Sequence, residues 1–318
     1  MAQEFIWDKN STQTYTKIYG SQQITDARSH FWKNPGADFT MDAEGETLTL
    51  TIPGVEGEES MVWWPSSGMR DGNLKMNIIN GNLVLDYDKY NRVMRSGLYL
   101  ANGQGNTAPL FLTLNNASQL NVKNCPFITF GLKDEFSLNM SGSSRFSIDI
   151  SAAGEPTIWN KTGGTFNLND NASFLCDFSS TSSKYEALLF GFFATLNNNA
   201  QIIFTDSKPE PSKIKFAGEY GVKFDINGET SRLIFMAKGH PLFGAEEIAD
   251  MNQGTFNFIT KGTVNNSEIV LQNAGKDEIN AFCKTGAVAI DDQPQLDDKN
   301  LNFGYDDALP GLRISVKH

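Results

Sequence analysis

Short apolar anchors recur along the middle of this chain at a nearly constant spacing. The steps from Phe136 to Phe166, Leu196, Ile226 and Phe256 are all equal. Around each anchor, apolar and polar residues alternate with period two and small polar residues follow, which is typical of a short strand that ends in a tight turn. A fixed period of about 30 residues indicates a repeat architecture, in which units stack to bury an apolar face that one unit cannot bury alone.

Each repeat unit contains three candidate strands. Two of them flank the polar turn after the anchor, and the third is seen in residues 126–130, 187–193 and 213–216. Three short strands and three turns in about 30 residues predict a coil of parallel strands rather than a series of hairpins. The connections between the second and third strands vary most, and such insertions usually gather on one face of a repeat protein.

Asparagine recurs at the turn that follows the anchor strand. The turns at 115–118, 170–173, 198–200 and 265–267 are all built from Asn, Asp, Ala and Ser. Asn accepts left-handed backbone geometry and bonds to neighbouring backbone groups, so it suits a tight corner. If the units stack, we expect the Asn side chains to form a ladder along one corner.

The three-strand unit with an Asn-rich corner resembles the right-handed parallel β-helix, the architecture of pectate-lyase-like enzymes, autotransporter passenger domains and phage tailspikes. The resemblance covers about residues 72–290 and implies an all-β fold, with no consequence for function. The polygalacturonase motifs are incomplete: Gly239-His240-Pro241 lacks the second glycine, Arg313-Ile314-Ser315 departs from Arg-Ile-Lys, and no Asn-Thr-Asp occurs. We therefore do not transfer those catalytic roles.

A second resemblance is to aerolysin-like pore formers, which also contain long Ser/Thr-rich alternating strands. Residues 137–151 would suit a membrane-inserting hairpin. Pore formers need one such hairpin, whereas this chain offers five equivalent units, and the recurrence therefore favours the β-helix.

Three regions are predicted along the chain. Residues 1–71 do not follow the repeat and contain Trp7, Trp32, Trp63 and Trp64, so we interpret them as an N-terminal cap. Residues 72–290 form the repeat body, and 291–318 form a C-terminal cap. Caps are expected because an open end of stacked strands exposes strand edges and core side chains.

Composition excludes several classes of protein. The formal net charge of −11 argues against a nucleic-acid partner, and no apolar run is long enough for a membrane-spanning helix. No metal or cofactor motif occurs, so no cofactor is predicted, and Cys125, Cys176 and Cys283 are expected to be thiols without metal.

The chain opens without a signal peptide. Either it is cytosolic or unconventionally exported, or a signal was removed, and we expect a secreted or cell-surface protein.

Carboxylates are the strongest candidates for chemistry in the sequence. Glycoside hydrolysis needs two of them, and Glu246, Glu247, Asp250 and the doublets at 291–292 and 297–298 supply several. Acidic doublets in loops are more often solvated surface. No nucleophile elbow, phosphate-binding loop or zinc helix motif occurs.

The leading interpretation is a non-enzymatic secreted or surface protein that binds a glycan or a cell-surface protein. A carbohydrate-active enzyme is the first alternative, and a homo-oligomeric subunit stacking end to end is the second. Ligand binding is predicted on the variable connections 179–186, 208–212 and 240–250, because scaffolds usually carry function in their loops. The predicted contact residues are Tyr185, Glu186, Glu210, His240 and Glu246.

Overall fold

A computed structural model gives the architecture of the chain. It describes residues 2–8, 10–25, 37–52, 61–64, 73–87, 97–101, 109–125, 128–131, 135–150, 160–178, 186–208, 213–261, 264–305 and 311–318. The protein is all-β, with a long, mostly parallel, unclosed sheet and two short α-helices.

The strands follow one another with few helical interruptions. In the N-terminal half they are β1 (Gln13–Thr16), β2 (Gln22–Ile24), β3 (Phe39–Ile52), β4 (Met61–Trp64), β5 (Leu74–Tyr87), β6 (Gly97–Leu100), β7 (Leu110–Leu114), β8 (Gln119–Cys125), β9 (Ile128–Phe130), β10 (Phe136–Met140) and β11 (Arg145–Ile150). In the C-terminal half they are β12 (Asn160–Leu168), β13 (Ser173–Asp177), β14 (Glu186–Leu196), β15 (Gln201–Asp206), β16 (Lys213–Asn227), β17 (Arg232–Ala237), β18 (Phe256–Ile259), β19 (Glu268–Gln272), β20 (Val288–Ile290), β21 (Gln293–Pro294), β22 (Leu301–Tyr305) and β23 (Gly311–Val316). The helices are α1 (Ala245–Ala249) and α2 (Lys276–Thr285).

These strands pair in three parallel ladders. The first ladder runs in the order β1, β3, β5, β7, β10, β12, β14, β16, β18, β20. The second runs β2, β3, β5, β8, β11, β13, β15, β17, β19. The third ladder has two parts. β4, β6 and β9 pair parallel in a small sheet of their own, and the N-terminal halves of β12, β14 and β16 pair parallel in the main sheet. The prediction of parallel pairing instead of hairpins within the repeats is confirmed.

The spacing of the first ladder differs from the constant step that the sequence suggests. Leu138 pairs with Leu112 on one side and with Phe166 on the other, and the second of these steps is the longer. The step is longer still where Ile226 pairs with Phe258. The alignment of Phe136 with Phe166 is therefore wrong by two positions. Because such a shift keeps a strand side chain on the same face, the predicted anchors still point inward.

The anchors form the core. All of them are buried: Phe136, Leu138, Phe166, Leu168, Leu196, Phe224, Ile226, Phe256 and Phe258. The Phe166 ring lies 4.5 Å from the Phe192 ring, 5.3 Å from that of Phe174 and 5.7 Å from that of Phe136, between centroids. Edge-to-face and tilted aromatic contacts between consecutive turns therefore run through the interior.

Left-handed residues make the corner between the first and second ladders. In successive turns this position is occupied by Asn116, Gly142, Asp170, Asn198 and Gly228, all with positive φ. One residue earlier, the Asn side chains are bonded in a row. Nδ2 of Asn197 donates to Oδ1 of Asn169 at 2.8 Å, and Nδ2 of Asn227 donates to Oδ1 of Asn197 at 2.9 Å. An Asn ladder is therefore present at this corner, one residue before the predicted turns. Within the predicted turns, Nδ2 of Asn199 donates to Oδ1 of Asn171 at 3.3 Å.

Glycine makes the corner between the third and first ladders. The long strands β12, β14 and β16 bend at Gly164, Gly191 and Gly221, which have φ values of 94°, 61° and 70°. Each strand belongs to the third ladder before its glycine and to the first ladder after it. A Cβ atom at Gly164 would lie 2.8 Å from Cδ1 of Phe136, so the close approach also requires glycine.

Aromatic residues fill the N-terminal end of the ladders. Phe5 packs edge-to-face on Tyr15 and Tyr19, and Trp7 lies 5.0 Å from Phe39 between ring centroids. Parallel pairing begins with β1 and β2 on β3, ahead of residue 72. Trp32, one of the four tryptophans assigned to the cap, lies outside the described residues. The region boundaries at 72 and 291 stay predictions.

Antiparallel strands close the C-terminal end. β23 pairs antiparallel with β19 and with β22, and β21 pairs antiparallel with β20. The two helices α1 and α2 precede these closing strands in the chain. Both helices begin after a glycine whose N–H donates to the side chain of the third helical residue, Glu247 or Glu278.

Candidate functional site

The predicted contact residues lie along the beginning of the third ladder, as far as the structure describes them. Tyr185 and Glu210 lie outside the described residues. Glu186 is the first residue of β14, and its backbone pairs with Lys213 of β16; its side chain is not among those described. His240 and Glu246 are exposed.

The loop that contains His240 continues this ladder. The N–H of Ile214 donates to the carbonyl of Leu242 at 2.8 Å, so the segment after His240 runs beside the start of β16. Nζ of Lys213 lies 3.0 Å from Oε1 of Glu247, next to Glu246 in α1. The structure thus brings the backbone of Glu186 and the helix α1, which contains Glu246, to the same edge, two turns apart.

A cleft lies just ahead of this edge, where three strands of the second ladder end. Its volume is about 300 Å³, within the range of small-ligand sites. It is lined at the end of β15 by Thr205, Asp206 and Ser207, at the end of β17 by Met236, Ala237, Lys238 and Gly239, and at the end of β19 by Gln272 and Asn273. The connections that start here lead into 208–212 and 240–250, two of the three variable segments, so the cleft sits at their base.

Asp206 fixes the wall of the cleft that β15 contributes. It follows Ile202 and Phe204 at the inward positions of the strand and is fully buried. Its carboxylate accepts a hydrogen bond from the N–H of Lys208 at 3.0 Å and lies 3.2 Å from Nζ of the same residue. The buried charge is therefore paired, as burial of a carboxylate requires.

Backbone and amide contacts hold the other two walls together. The N–H of Lys238 donates to the carbonyl of Asp206 at 3.1 Å, and Nδ2 of Asn273 donates to the carbonyl of Ala237 at 2.6 Å. Asn273 and Gly239 both have positive φ, which turns the chain away from the sheet at these points. The cleft is thus built on strand ends and not on the loops beyond them.

Sequence reasoning missed most of the cleft residues. Asp206, Gln272 and Asn273 each stand at the polar end of an apolar alternation, a position that resembles any strand terminus. The signal that could have identified them is the alignment of three such ends in consecutive turns, which requires the correct register.

The acidic candidates for chemistry are engaged in local contacts. Burial opposes ionisation of Glu247, but hydrogen bonds from the Gly244 N–H and from Lys213 hold the pKa of this carboxyl below its ordinary value. Asp291 accepts bonds from the Thr260 hydroxyl and the N–H groups of Thr260 and Lys261, which lower its pKa. These groups stabilise a helix start and a turn.

Asp292 belongs to a four-residue polar cluster on the outer face of β16, β18 and β20. Nζ of Lys223 lies 2.8 Å from Oδ1 of Asp292 and 3.1 Å from Oδ1 of Asp225. Nδ2 of Asn257 donates to the same two oxygen atoms, at 2.9 and 2.7 Å. Burial opposes protonation of Lys223, but the two carboxylates raise its pKa above the ordinary value. The cluster ties the turn between β20 and β21 to the sheet.

The cysteines and the helices show no sign of further chemistry in the described part of the chain. Cys125 and Cys176 are buried, Cys283 is half-buried, and all three are thiols. Burial raises the pKa of Cys176 well above its ordinary value. Among the described residues, no group of three or more His, Cys, Asp or Glu side chains is arranged to hold a metal ion, and neither helix has the length and apolarity needed to cross a membrane.

Comparison with protein-family models, with curated proteins and with solved structures finds no match.

Proposed function

We propose that the three ladders wind as a right-handed parallel β-helix. Support comes from the order of the pairings, in which the chain passes from the first to the second to the third ladder and returns to the first. The left-handed corner residues and the bending glycines recur at equivalent places of each turn. Connections between parallel strands of one sheet are right-handed in nearly all proteins, which gives the hand.

On this scaffold we propose a non-enzymatic binding protein whose ligand is a glycan held in the cleft at the ends of β15, β17 and β19. The observation that supports glycan binding is the chemistry of the residues that line the cleft. Met236 and Ala237 offer an apolar surface, while Gln272, Ser207 and Lys238 offer amide, hydroxyl and ammonium groups. Sugars combine an apolar ring face with a rim of hydroxyl groups, so this mixture suits them.

The position of the cleft also supports binding. A ligand there would extend past the connection 240–250, where the exposed His240 and Glu246 would provide additional contacts. Tyr185, Glu186 and Glu210 stay predicted contact residues. We place the protein outside the cell or on its surface, because the glycans that such a cleft recognises are displayed there.

Glycan-array screening followed by calorimetry tests the proposal. We expect at least one saccharide to bind the wild type, and Gln272→Ala and Met236→Ala to weaken its affinity about tenfold or more, the effect of losing one hydrogen bond or apolar contact in a pocket. Gln201→Ala is the matched control, because Gln201 begins the strand β15 that ends at the cleft.

Two results would overturn this function. One is an array without any binder. The other is unchanged affinity in both cleft variants, which would move the site to another surface. Analysis of the bound saccharide for new reducing ends separates binding from hydrolysis, and cleavage would replace our proposal by the carbohydrate-active enzyme.

A further inference from the structure

Three aliphatic side chains form a row on the outer face of the second ladder. In β13, β15 and β17 the outward position at the middle of the strand is occupied by Leu175, Ile203 and Ile234, which are direct neighbours in the parallel register. All three are half-buried and remain accessible to solvent. Val270 continues the row in β19 but is only 3% exposed, at the end where β23 pairs with β19. We call Leu175, Ile203 and Ile234 the aliphatic row.

The aliphatic row is not a general property of the repeat. At the same register, the two preceding strands of the second ladder carry polar residues, Ser147 in β11 and Asn121 in β8. In the same turns, the outward positions at the middle of the first ladder are polar as well, with Asn167, Thr195 and Asp225 in register. Outward aliphatic residues therefore mark the part of the second ladder that leads to the cleft.

The cleft and the aliphatic row are adjacent. Two residues beyond Ile203 and Ile234 on the same strands, Thr205 and Met236 line the cleft. Side chains two residues apart on one face of a strand are separated by about 7 Å. A ligand seated in the cleft therefore lies within reach of the aliphatic row, and the apolar side chain of Met236 connects the two.

Polar residues border the aliphatic row on both sides. On the cleft side lie Asp177 and Thr205, and on the far side lie Ser173 and the ion pair of Arg232 with Glu268. The apolar surface is thus one side chain wide, and with strands about 5 Å apart it is about 10 Å long. A stable protein interface buries about 800 Å² on each partner. The aliphatic row is too narrow for that and suits a linear chain.

The backbone beneath the aliphatic row is already paired. β13, β15 and β17 each have a parallel partner on both edges. An extended peptide binds a sheet through an unpaired strand edge, which this face does not offer. A linear saccharide has no backbone N–H groups to satisfy, and its hydroxyl groups both donate and accept hydrogen bonds along its edges. The face therefore favours a saccharide chain over a peptide.

We propose that the ligand is a linear, β-linked glycan whose all-equatorial rings lie along the aliphatic row while one sugar unit occupies the cleft. Rings of this kind direct their hydroxyl groups to the edges of the chain and leave an apolar face of C–H groups. Such a chain matches an apolar row between two polar rows, because the faces lose contact with water and the edges keep their hydrogen bonds. The ligand class rests on the glycan binding proposed above and adds to it the linkage and the length of the chain.

Calorimetry with saccharides of increasing length tests this ligand class. We expect cello- or chito-oligosaccharides to bind the wild type about tenfold more tightly as hexasaccharides than as disaccharides, because added rings bury further apolar area. Malto-oligosaccharides, whose α-linkages curve the chain, should show no such gain. Ile203→Thr and Ile234→Thr keep a β-branched side chain but make the row polar, and each should bring the ratio of hexasaccharide to disaccharide affinity close to one.

Ser147→Ala is the matched control, because Ser147 occupies the same register one turn before the aliphatic row. It should retain the gain with length, and thermal unfolding establishes that all three variants are folded. The length series of the wild type needs no variant. Equal affinity for short and long β-linked chains would overturn this ligand class and leave binding in the cleft intact. A gain that persists in both folded isoleucine variants, or a preference for the α-linked series, would do the same. Absence of binding to every saccharide would overturn the proposed function itself.

Discussion

From β7 to β17, contacts of the same kinds recur from turn to turn. Asn197 donates to Asn169 and accepts from Asn227, and the Phe166 ring makes edge-to-face and tilted contacts with rings from the turns on either side. From β18 to β23, and where the outer face of β16 contacts this region, each contact occurs once. A lysine joins two carboxylates, an aspartate holds a turn, and antiparallel strands replace parallel ones.

The difference shows how two strategies stabilise one sheet. Repeated contacts need no long-range arrangement, because each turn copies the backbone of the one before it. Terminal contacts must satisfy the last strand edges and the core that stacking leaves open, so they depend on particular partners far apart in sequence. We expect the middle to respond strongly to the loss of one side chain, and the C-terminal part to respond weakly and with a dependence on pH.

Truncation of a core anchor should have the largest effect. Phe166→Ala is expected to lower the free energy of unfolding by about 3 to 5 kcal/mol, because a fully buried ring is replaced by a cavity. Urea denaturation measures this loss. Thr165→Ala, on the outer face of the same strand, should change stability by less than about 1 kcal/mol. Equal effects of the two variants would contradict the assignment of the inner face.

The rates at which the cysteine thiols react compare the burial of the repeated region with that of the C-terminal part, without a mutation. Cys176 lies in the middle and is buried, whereas Cys283 lies in α2 and is half-buried. We expect alkylation of Cys283 in the folded protein to be about a thousandfold faster, equivalent to about 4 kcal/mol of opening free energy. Mass spectrometry of partly alkylated protein measures the ratio. In denaturant without reductant all three cysteines should react, and a ratio near one in the folded state would contradict the burial of Cys176.

Loss of one residue of the Asn ladder should have an effect on stability of intermediate size. Asn197→Ala removes two side-chain hydrogen bonds and is expected to cost about 1 to 3 kcal/mol. Asn199→Ala removes the bond to Asn171 at 3.3 Å and the contact from Thr230 at an exposed position, so it should cost less. Thermal unfolding of both variants gives the order. The reverse order would mean that the row formed by Asn169, Asn197 and Asn227 contributes less to stability than the exposed contacts of Asn199.

The fold of the repeated region, from β7 to β17, could be predicted from the sequence. Period-two alternation predicted the inward anchors, the Asn-rich turns predicted the corner ladder, and three strands per unit predicted parallel pairing. It was insufficient for the register, because the true steps are shorter than the apparent period at Leu112 and longer at Ile226, and the anchors display only their average. An even shift leaves the buried face unchanged, so the apolar pattern alone does not distinguish one register from the next.

The cleft and the C-terminal contacts could not be predicted from the sequence, for a related reason. Asp206 and Gln272 become neighbours only when the register of β15, β17 and β19 is known. The aspartates at 291 and 292 look like a solvated doublet in the sequence, yet both adopt positive φ and bind separate partners. The residues around Asp291 and Asp292 in the sequence do not indicate these partners, which lie a full turn or more away along the chain.

The smallest expected effect is at the turn held by Asp291. Hydrogen bonds from Thr260, above all from its hydroxyl, lower the pKa of Asp291 below the ordinary value of 3.8. The ionised form therefore stabilises the fold fully above the unfolded pKa, and this contribution is lost as the pH falls through the lower folded pKa. Because the group is well exposed, Asp291→Asn should cost only about 0.5 kcal/mol at pH 7.

Urea denaturation of the wild type and Asp291→Asn at several pH values measures this contribution. Asn tolerates the left-handed backbone at this position, so the substitution removes the charge without straining the turn. The difference between the two proteins should be constant from neutral pH to about pH 5 and should shrink below about pH 4. Thr260→Val should produce the same pH dependence and add little to Asp291→Asn in the double variant, since both remove one interaction. A difference that grows on acidification would contradict the lowered pKa and would leave the C-terminal turn held by its backbone pairing alone.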